Sequence, residues 1–388
     1  MATHKVRRTL LAIASELMER AVARRRGVAL VVLALLAIGA FACGATLGDE
    51  PESPDPLVAE TLPATQLAGE RIVVGLPGTS ISPPLREAVR GGRVAGVVLF
   101  AENLPSRAAG KRLIAQLQGI KRPPKLRDPL LIMVDQEGGL VKRVSGAPTA
   151  SARQMGARGA AFSSRQGRAA AANLRELGIN VDLAPVFDVG RPGGVIAETE
   201  RSFGSTAVKV EATAIPFAKA LQAGGVAATG KHFPGFGAAT ENTDFSVERI
   251  DVSKDELRSV DEKPYAAFAA GEGKLVMLST AIYPAFSGRP AAFTRAIATG
   301  ELRRRLGFEG VSITDALETP AVEDFGGTAK VAVAGARAGS DLLLFARLGP
   351  AEQAWKALVG KLHSHKLDRG EFEAAAQRVL DLRAGLRR

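Results

Sequence analysis

STAVKVEATAIPFAKALQAGGVAATGKHF, residues 205–233, contains one complete structural unit. Up to Gly225 its apolar side chains recur at helical spacing. The last eight residues, VAATGKHF (226–233), form a short run that is apolar on both faces and stops at Lys231 and His232. Such a run reads as a parallel strand covered by helices, because a strand exposed on one face alternates polar with apolar. Seven other runs repeat the pattern: RIVVGL (71–76), VAGVVLF (94–100), LLIMVD (130–135), INVDLAP (179–185), KLVMLST (274–280), GVSITDA (310–316) and DLLLFA (341–346). Eight strand–helix units in succession predict an α/β fold of the TIM (β/α)8 barrel type. An open doubly wound sheet would carry a G-x-G-x-x-G turn after its first strand, and VGLPGTSISPP is not one.

The chain has 388 residues, 46% hydrophobic and 23% charged, which suits one large domain with an appendage. A net charge of +11 raises the question of nucleic acid, but one Trp and two Tyr offer almost nothing for base stacking. A basic surface facing an anionic envelope is the plainer account, and no nucleic-acid partner is expected.

Residues 1–26 form a basic tail ending in Arg24, Arg25 and Arg26. Residues 27–48, GVALVVLALLAIGAFACGATLG, carry no charge and are long enough for the roughly 30 Å of bilayer hydrocarbon. Positive charge before the run predicts a cytoplasmic N-terminus and a body outside the cell membrane. Cys43, the single cysteine, excludes intrachain disulfides. It sits where a bacterial lipoprotein is cleaved and lipidated, although Phe41 departs from that pattern, so an uncleaved transmembrane anchor stays open. Residues 49–68 are Pro-rich and acidic and read as an extended linker, with the barrel at 69–388.

In a barrel, chemistry gathers at the C-terminal ends of the strands. Here the runs end in or lead to Asp135, Asp188, the pair Lys231–His232, and Asp315. Carboxylates that accept from hydroxyl pairs, beside cations that donate to ring oxygens, suit an uncharged polyol such as a sugar. Glycoside hydrolysis also needs a carboxylate beside the anomeric carbon. Metal ligation is disfavoured, since His232 is the only histidine in the barrel loops and no cysteine is near.

VDQEGG (134–139) with VKRVSG (141–146), NVDLAPVFDV (180–189), ERSFG (200–204), KHFPGFG (231–237), FTRAIATGELRRRLGFEGVSITDAL (293–317) and AAQRVLDLRAGL (375–386) follow one another in a familiar order. The body resembles glycoside hydrolase family 3, in particular its single-domain bacterial β-N-acetylglucosaminidases, over essentially the whole barrel. The resemblance implies retaining hydrolysis of a β-linked sugar through a covalent glycosyl-enzyme intermediate, without metal or organic cofactor. It implies Asp315 as nucleophile, and Asp135, Arg143, Arg201, Lys231 and His232 as holders of the sugar hydroxyls.

One part of the pattern is exchanged. The subgroup's loop ends in Asp-Ser/Thr-His, the His being the acid/base, whereas this chain has Asn242-Thr243-Asp244. Leu140 replaces a customary Arg, and Thr280 stands where a His often occurs. A free Asp with a pKa near 3.9 is protonated in only about one molecule per thousand at pH 7, while His near 6.5 both gives and takes a proton readily. Asp244 serves only if its surroundings raise its pKa; Glu198, Glu200 and Glu241 are the other acids in reach by sequence. Three functions stay open: a retaining β-glycosidase using Asp244 or a nearby Glu on cell-wall glycan, a catalytically weakened sugar-binding protein, and a β-glucosidase-type member.

Overall fold

Eight short parallel strands carry the architecture, and each falls inside one of the eight apolar runs. The computed structural model describes residues 57–386. The strands are β1 (Ile72–Gly75), β2 (Gly96–Val98), β3 (Leu131–Val134), β4 (Val181–Asp182), β5 (Ala227–Phe233), β6 (Leu275–Leu278), β7 (Val311–Thr314) and β8 (Leu343–Phe345). Each pairs with its neighbours in sequence, β1 also pairs with β8, and a bridge between Ile313 and Leu342 joins β7 to β8. The ring is therefore closed, as the repeated units predict.

Helices α1 (Pro83–Arg90), α2 (Arg107–Gln118), α3 (Ala160–Leu177), α4 (Ala207–Ala223), α5 (Lys263–Ala270), α6 (Thr328–Ala338) and α7 (Leu348–His363) lie outside the strands. Residues 296–305, with π-helical bonding, take the helix position between β6 and β7. The helix starts are written in the sequence: Ser106 Oγ accepts from the Ala109 amide of α2, and Thr206 Oγ1 from the Lys209 amide of α4. The strands are buried on both faces, which is why Val, Ile and Leu dominate most of them.

Inside the ring a separate apolar cluster includes Val73, Met133, Val181, Leu275, Ile313 and Leu342. A last helix, α8 (Arg369–Gly385), closes the N-terminal end: Val379, Leu382 and Leu386 pack against this cluster. The fully buried Arg383 fixes α8 there by donating to Glu70 and to the carbonyls of Leu126, Asp128 and Pro129. All three nitrogens of Arg383 thus have acceptors, which is the condition for burying a guanidinium at all.

The linker reading of 49–68 runs too far. Residues 58–61 form a 3-10 turn and 64–69 a short helix, and Leu62 and Leu67 are buried at 1% and 0% exposure. Folding begins where the apolar side chains resume, despite the flanking Pro. The basic tail, the apolar run 27–48 and Cys43 lie outside the described residues. Among the described residues no helix is long and apolar enough to cross a membrane.

Candidate active site

The register sets the site. Following the pairings around the ring, Gly75, Asp135, Lys231 and Asp315 fall at one level, contributed by the odd strands β1, β3, β5 and β7 and the residues just after them. The level beneath is Val98, Leu183, Met277 and Leu344, from the even strands. Layers of four from alternate strands are how such barrels fill. The lower four are apolar and floor a cavity of about 200 Å³; the upper layer supplies its chemistry. Gly75 adds no side chain, and a Cβ there would meet Phe100, which also lines the cavity, at 3.1 Å and the Ala346 carbonyl at 2.3 Å.

Lys231, 2% exposed, reaches both Asp135 and Glu137 at 2.7 Å. Arg201, from the loop between β4 and α4, grips Glu137 with two parallel bonds of 2.8 Å. Burial pushes the Glu137 carboxyl up, but Arg201 and Lys231 outweigh it and hold the group well below the usual carboxylate range. Burial likewise pulls the Lys231 ammonium down, and Asp135 and Glu137 reverse this, so it is raised and charged. Arg143 approaches Asp135 at 3.6 Å. Its loop is held by Gln136, whose Oε1 accepts from the amides of Arg143 and Val144 while Nε2 donates to the Val144 and Ala147 carbonyls.

His232 is set from behind. Its Nδ1 lies 2.7 Å from Asp188 Oδ2, so Nδ1 carries the proton and Nε2 is left for a ligand. Asp188 Oδ1 also accepts from the amides of His232 and Phe236, so one buried carboxylate fixes both the imidazole and the start of the next loop. That loop is pressed inward at Gly237, where a Cβ would stand 1.9 Å from the Val189 carbonyl. It then carries Asn242 and Asp244 to the cavity wall.

Asp315 Oδ1 accepts from the Ala316 amide at 2.8 Å. Burial raises the Asp315 carboxyl, His232 opposes this, and Asp244 raises it further, so the two carboxylates share one electrostatic site. Asn242 Nδ2 donates to Asp244 Oδ2 at 3.0 Å, and the Asp244 amide donates back to Asn242 Oδ1.

Every predicted site residue lines this cavity: Asp315, Asp244, Asp135, Arg143, Arg201, Lys231 and His232. The other acids do not. Glu200 pairs with Arg153, and neither Glu198, Glu200 nor Glu241 reaches the wall. Arg201 spends two N–H groups on Glu137, which leaves it less to offer a sugar than sequence suggested. The sequence alone gives no role to two further residues. Glu137 stands two residues after Asp135, a spacing that in a strand would return it to the same face, but its role in pairing cations separated by chain length was invisible. Asp188 stands after an apolar run in the sequence, but its hold on His232 spans 44 residues.

Residues 67–382 match the family described as "Glycosyl hydrolase family 3 N terminal domain". The chain is 37% identical over 329 residues to an uncharacterized secreted glycosyl hydrolase of Arthroderma benhamiae, covering 82% of this chain and 93% of that one. It is 32% identical over 302 residues to a beta-hexosaminidase of Xylella fastidiosa, covering 75% and 87%. The solved family 3 beta-N-acetylglucosaminidase of a Paenibacillus species superposes with a TM-score of 0.79 at 30% identity, over 84% of this chain and 63% of that one. A closed parallel barrel, a carboxylate-lined cavity at its C-terminal end and these likenesses agree: the chain belongs to glycosyl hydrolase family 3.

Proposed function

We propose that this glycoside hydrolase is a retaining exo-β-glycosidase, with Asp315 as nucleophile and Asp244 as general acid and base, acting on β-linked N-acetylglucosamine. The observation that carries the reading is that Asp315 and Asp244 both line one cavity of about 200 Å³, room for a single sugar ring over an apolar floor. Asp315 binds the Ala316 amide through Oδ1, which leaves its second oxygen to attack the anomeric carbon. Asp244 protonates the departing oxygen, then removes a proton from the water that releases the sugar. Asp135, Arg143, Lys231 and His232 hold the hydroxyls, and Arg201 contributes mainly by fixing Glu137. The specificity rests on the named activities of the relatives. A secreted relative and the apolar run at 27–48 support a body outside the cell membrane, acting on cell-wall glycan.

One observation favours a second reading, a sugar-binding protein with weak turnover. Asp244 is exposed, and its side chain is bonded by the neutral Asn242 amide, where the Asp-Ser/Thr-His pattern has a histidine with a carboxylate partner. Hydrolysis of aryl β-glycosides of N-acetylglucosamine and glucose between about pH 4 and 8 separates the readings. Release of N-acetylglucosamine with β-configuration is expected; affinity for the sugar with no turnover of a natural glycan would establish the binding protein.

A further inference from the structure

The cavity accounts for one sugar but not for what is attached to it, and two apolar side chains near its lining are without cover. Leu140 is 81% exposed and Phe245 is 80% exposed. Leu140 precedes Val141, a cavity-lining residue, at the turn where the Gly138 and Val141 backbones pair. Phe245 follows Asp244 directly. Both loops leave the C-terminal end of the barrel, one from β3 and the other from β5. A single exposed apolar residue needs no explanation. Two of them, each adjacent in sequence to a wall residue of the same cavity, do.

The reaction supplies the reason. An acid at residue 244 must lie within hydrogen-bond reach of the oxygen joining the sugar to its leaving group. The sugar fills the cavity below, so the leaving group continues outward past residue 244, beside Phe245. Leu140, at the turn next to Val141, offers a second apolar surface. Neither side chain can form a hydrogen bond or an ion pair, so the partner they select has an apolar face.

We propose that Leu140 and Phe245 form the leaving-group subsite, and that it takes an aglycone with a flat or extended apolar surface rather than a small polar one. The proposal rests on the reading of Asp244 as the acid and adds the substrate class.

Hydrolysis-resistant thioglycosides test it without depending on turnover. The affinities of phenyl and methyl 1-thio-β-N-acetylglucosaminide are measured by calorimetry on the full chain and on three variants: Phe245→Ala, Leu140→Ala and Val208→Ala. Val208 is a comparably exposed apolar residue on α4, away from the cavity lining. The full chain is expected to prefer phenyl over methyl by roughly three- to tenfold, the range of one aromatic contact. Phe245→Ala should remove most of that preference, Leu140→Ala part of it, and Val208→Ala none. Equal affinity for the two ligands, no binding of either, or a preference that survives in both Phe245→Ala and Leu140→Ala overturns the proposal. Hydrolysis of the matching aryl O-glycoside is followed in parallel: its absence counts against the glycosidase reading, whereas the affinity ratio bears on the subsite alone.

Discussion

Glu137→Gln tests whether the site is held together by charge. The side chain is 4% exposed and faces two cations: Lys231 at 2.7 Å and Arg201 through two bonds of 2.8 Å. Removing one member of a buried ion pair costs about 3–5 kcal/mol, because the partner stays buried without compensation. Lys231 keeps Asp135, whereas Arg201 has no other ion pair among the described residues. The lower end of the range, about 3 kcal/mol, is therefore expected. At roughly 2 °C per kcal/mol for a large domain, the melting temperature should fall by about 6 °C. Circular dichroism with and without denaturant reads the change. Arg201→Met added to Glu137→Gln should recover part of the loss, since the unpaired cation is gone; a coupling of at least about 1 kcal/mol is expected for residues in direct contact. A drop below about 2 °C, or losses that simply add in the double variant, would refute the reasoning.

Asp244→Ala should slow alkyl β-glycosides by about 10²–10⁴ while nitrophenyl glycosides lose far less, since their leaving groups need no proton; equal losses would move the acid elsewhere. The rate on aryl glycosides should fall as pH drops through the raised value of Asp315, because only the ionised carboxylate attacks, so the acidic limb should lie above the ordinary Asp range near 3.9. Asp182 gives a stability test. Burial pushes its carboxyl well above the ordinary range, with the Gln136 amide opposing, so the folded chain keeps a proton that the unfolded chain releases near pH 3.9. Wild-type stability should therefore decline as pH rises above about 4, and Asp182→Asn, which retains an acceptor for Gln136, should remove that decline; parallel denaturant curves at acidic and neutral pH would expose the error. Gln136→Ala should raise the KM more than it lowers kcat, because it frees the loop that carries Arg143; an effect on kcat alone would assign Gln136 elsewhere.

The fold was legible because a buried parallel strand has a simple signature. Each of the eight apolar runs contains a strand, since both faces of each are covered. The strand ends named Asp135, Lys231 and Asp315 for the same reason: side chains alternate in a strand, and the last inward residue above the apolar floor meets solvent or ligand. What sequence could not supply was pairing between distant residues. Nothing in the spacing of Glu137 and Arg201, or of Asp188 and His232, announces that they meet. The start of the folded body was misplaced by ten residues or so because Pro and acidic residues dominate 49–56, while Ala59, Leu62 and Leu67 are too sparse to register as a run. The local composition was right; the burial comes from α7 and α8, to which Thr65 and Ala59 are tied through Trp355 and Gln377.

These pieces converge on the mechanism's first bond. The upper layer of the barrel interior brings Asp315 to the cavity, above the apolar floor of Val98, Leu183, Met277 and Leu344. Asp244→Ala should slow release of the sugar more than its capture from an activated aryl glycoside, so the covalent species should accumulate in that variant. Mixing Asp244→Ala with a dinitrophenyl β-N-acetylglucosaminide, quenching in acid and mapping the peptides by mass spectrometry tests this directly. One sugar unit attached to the peptide at Asp315 is the expected result. Turnover without any adduct, or an adduct on another side chain, would contradict it.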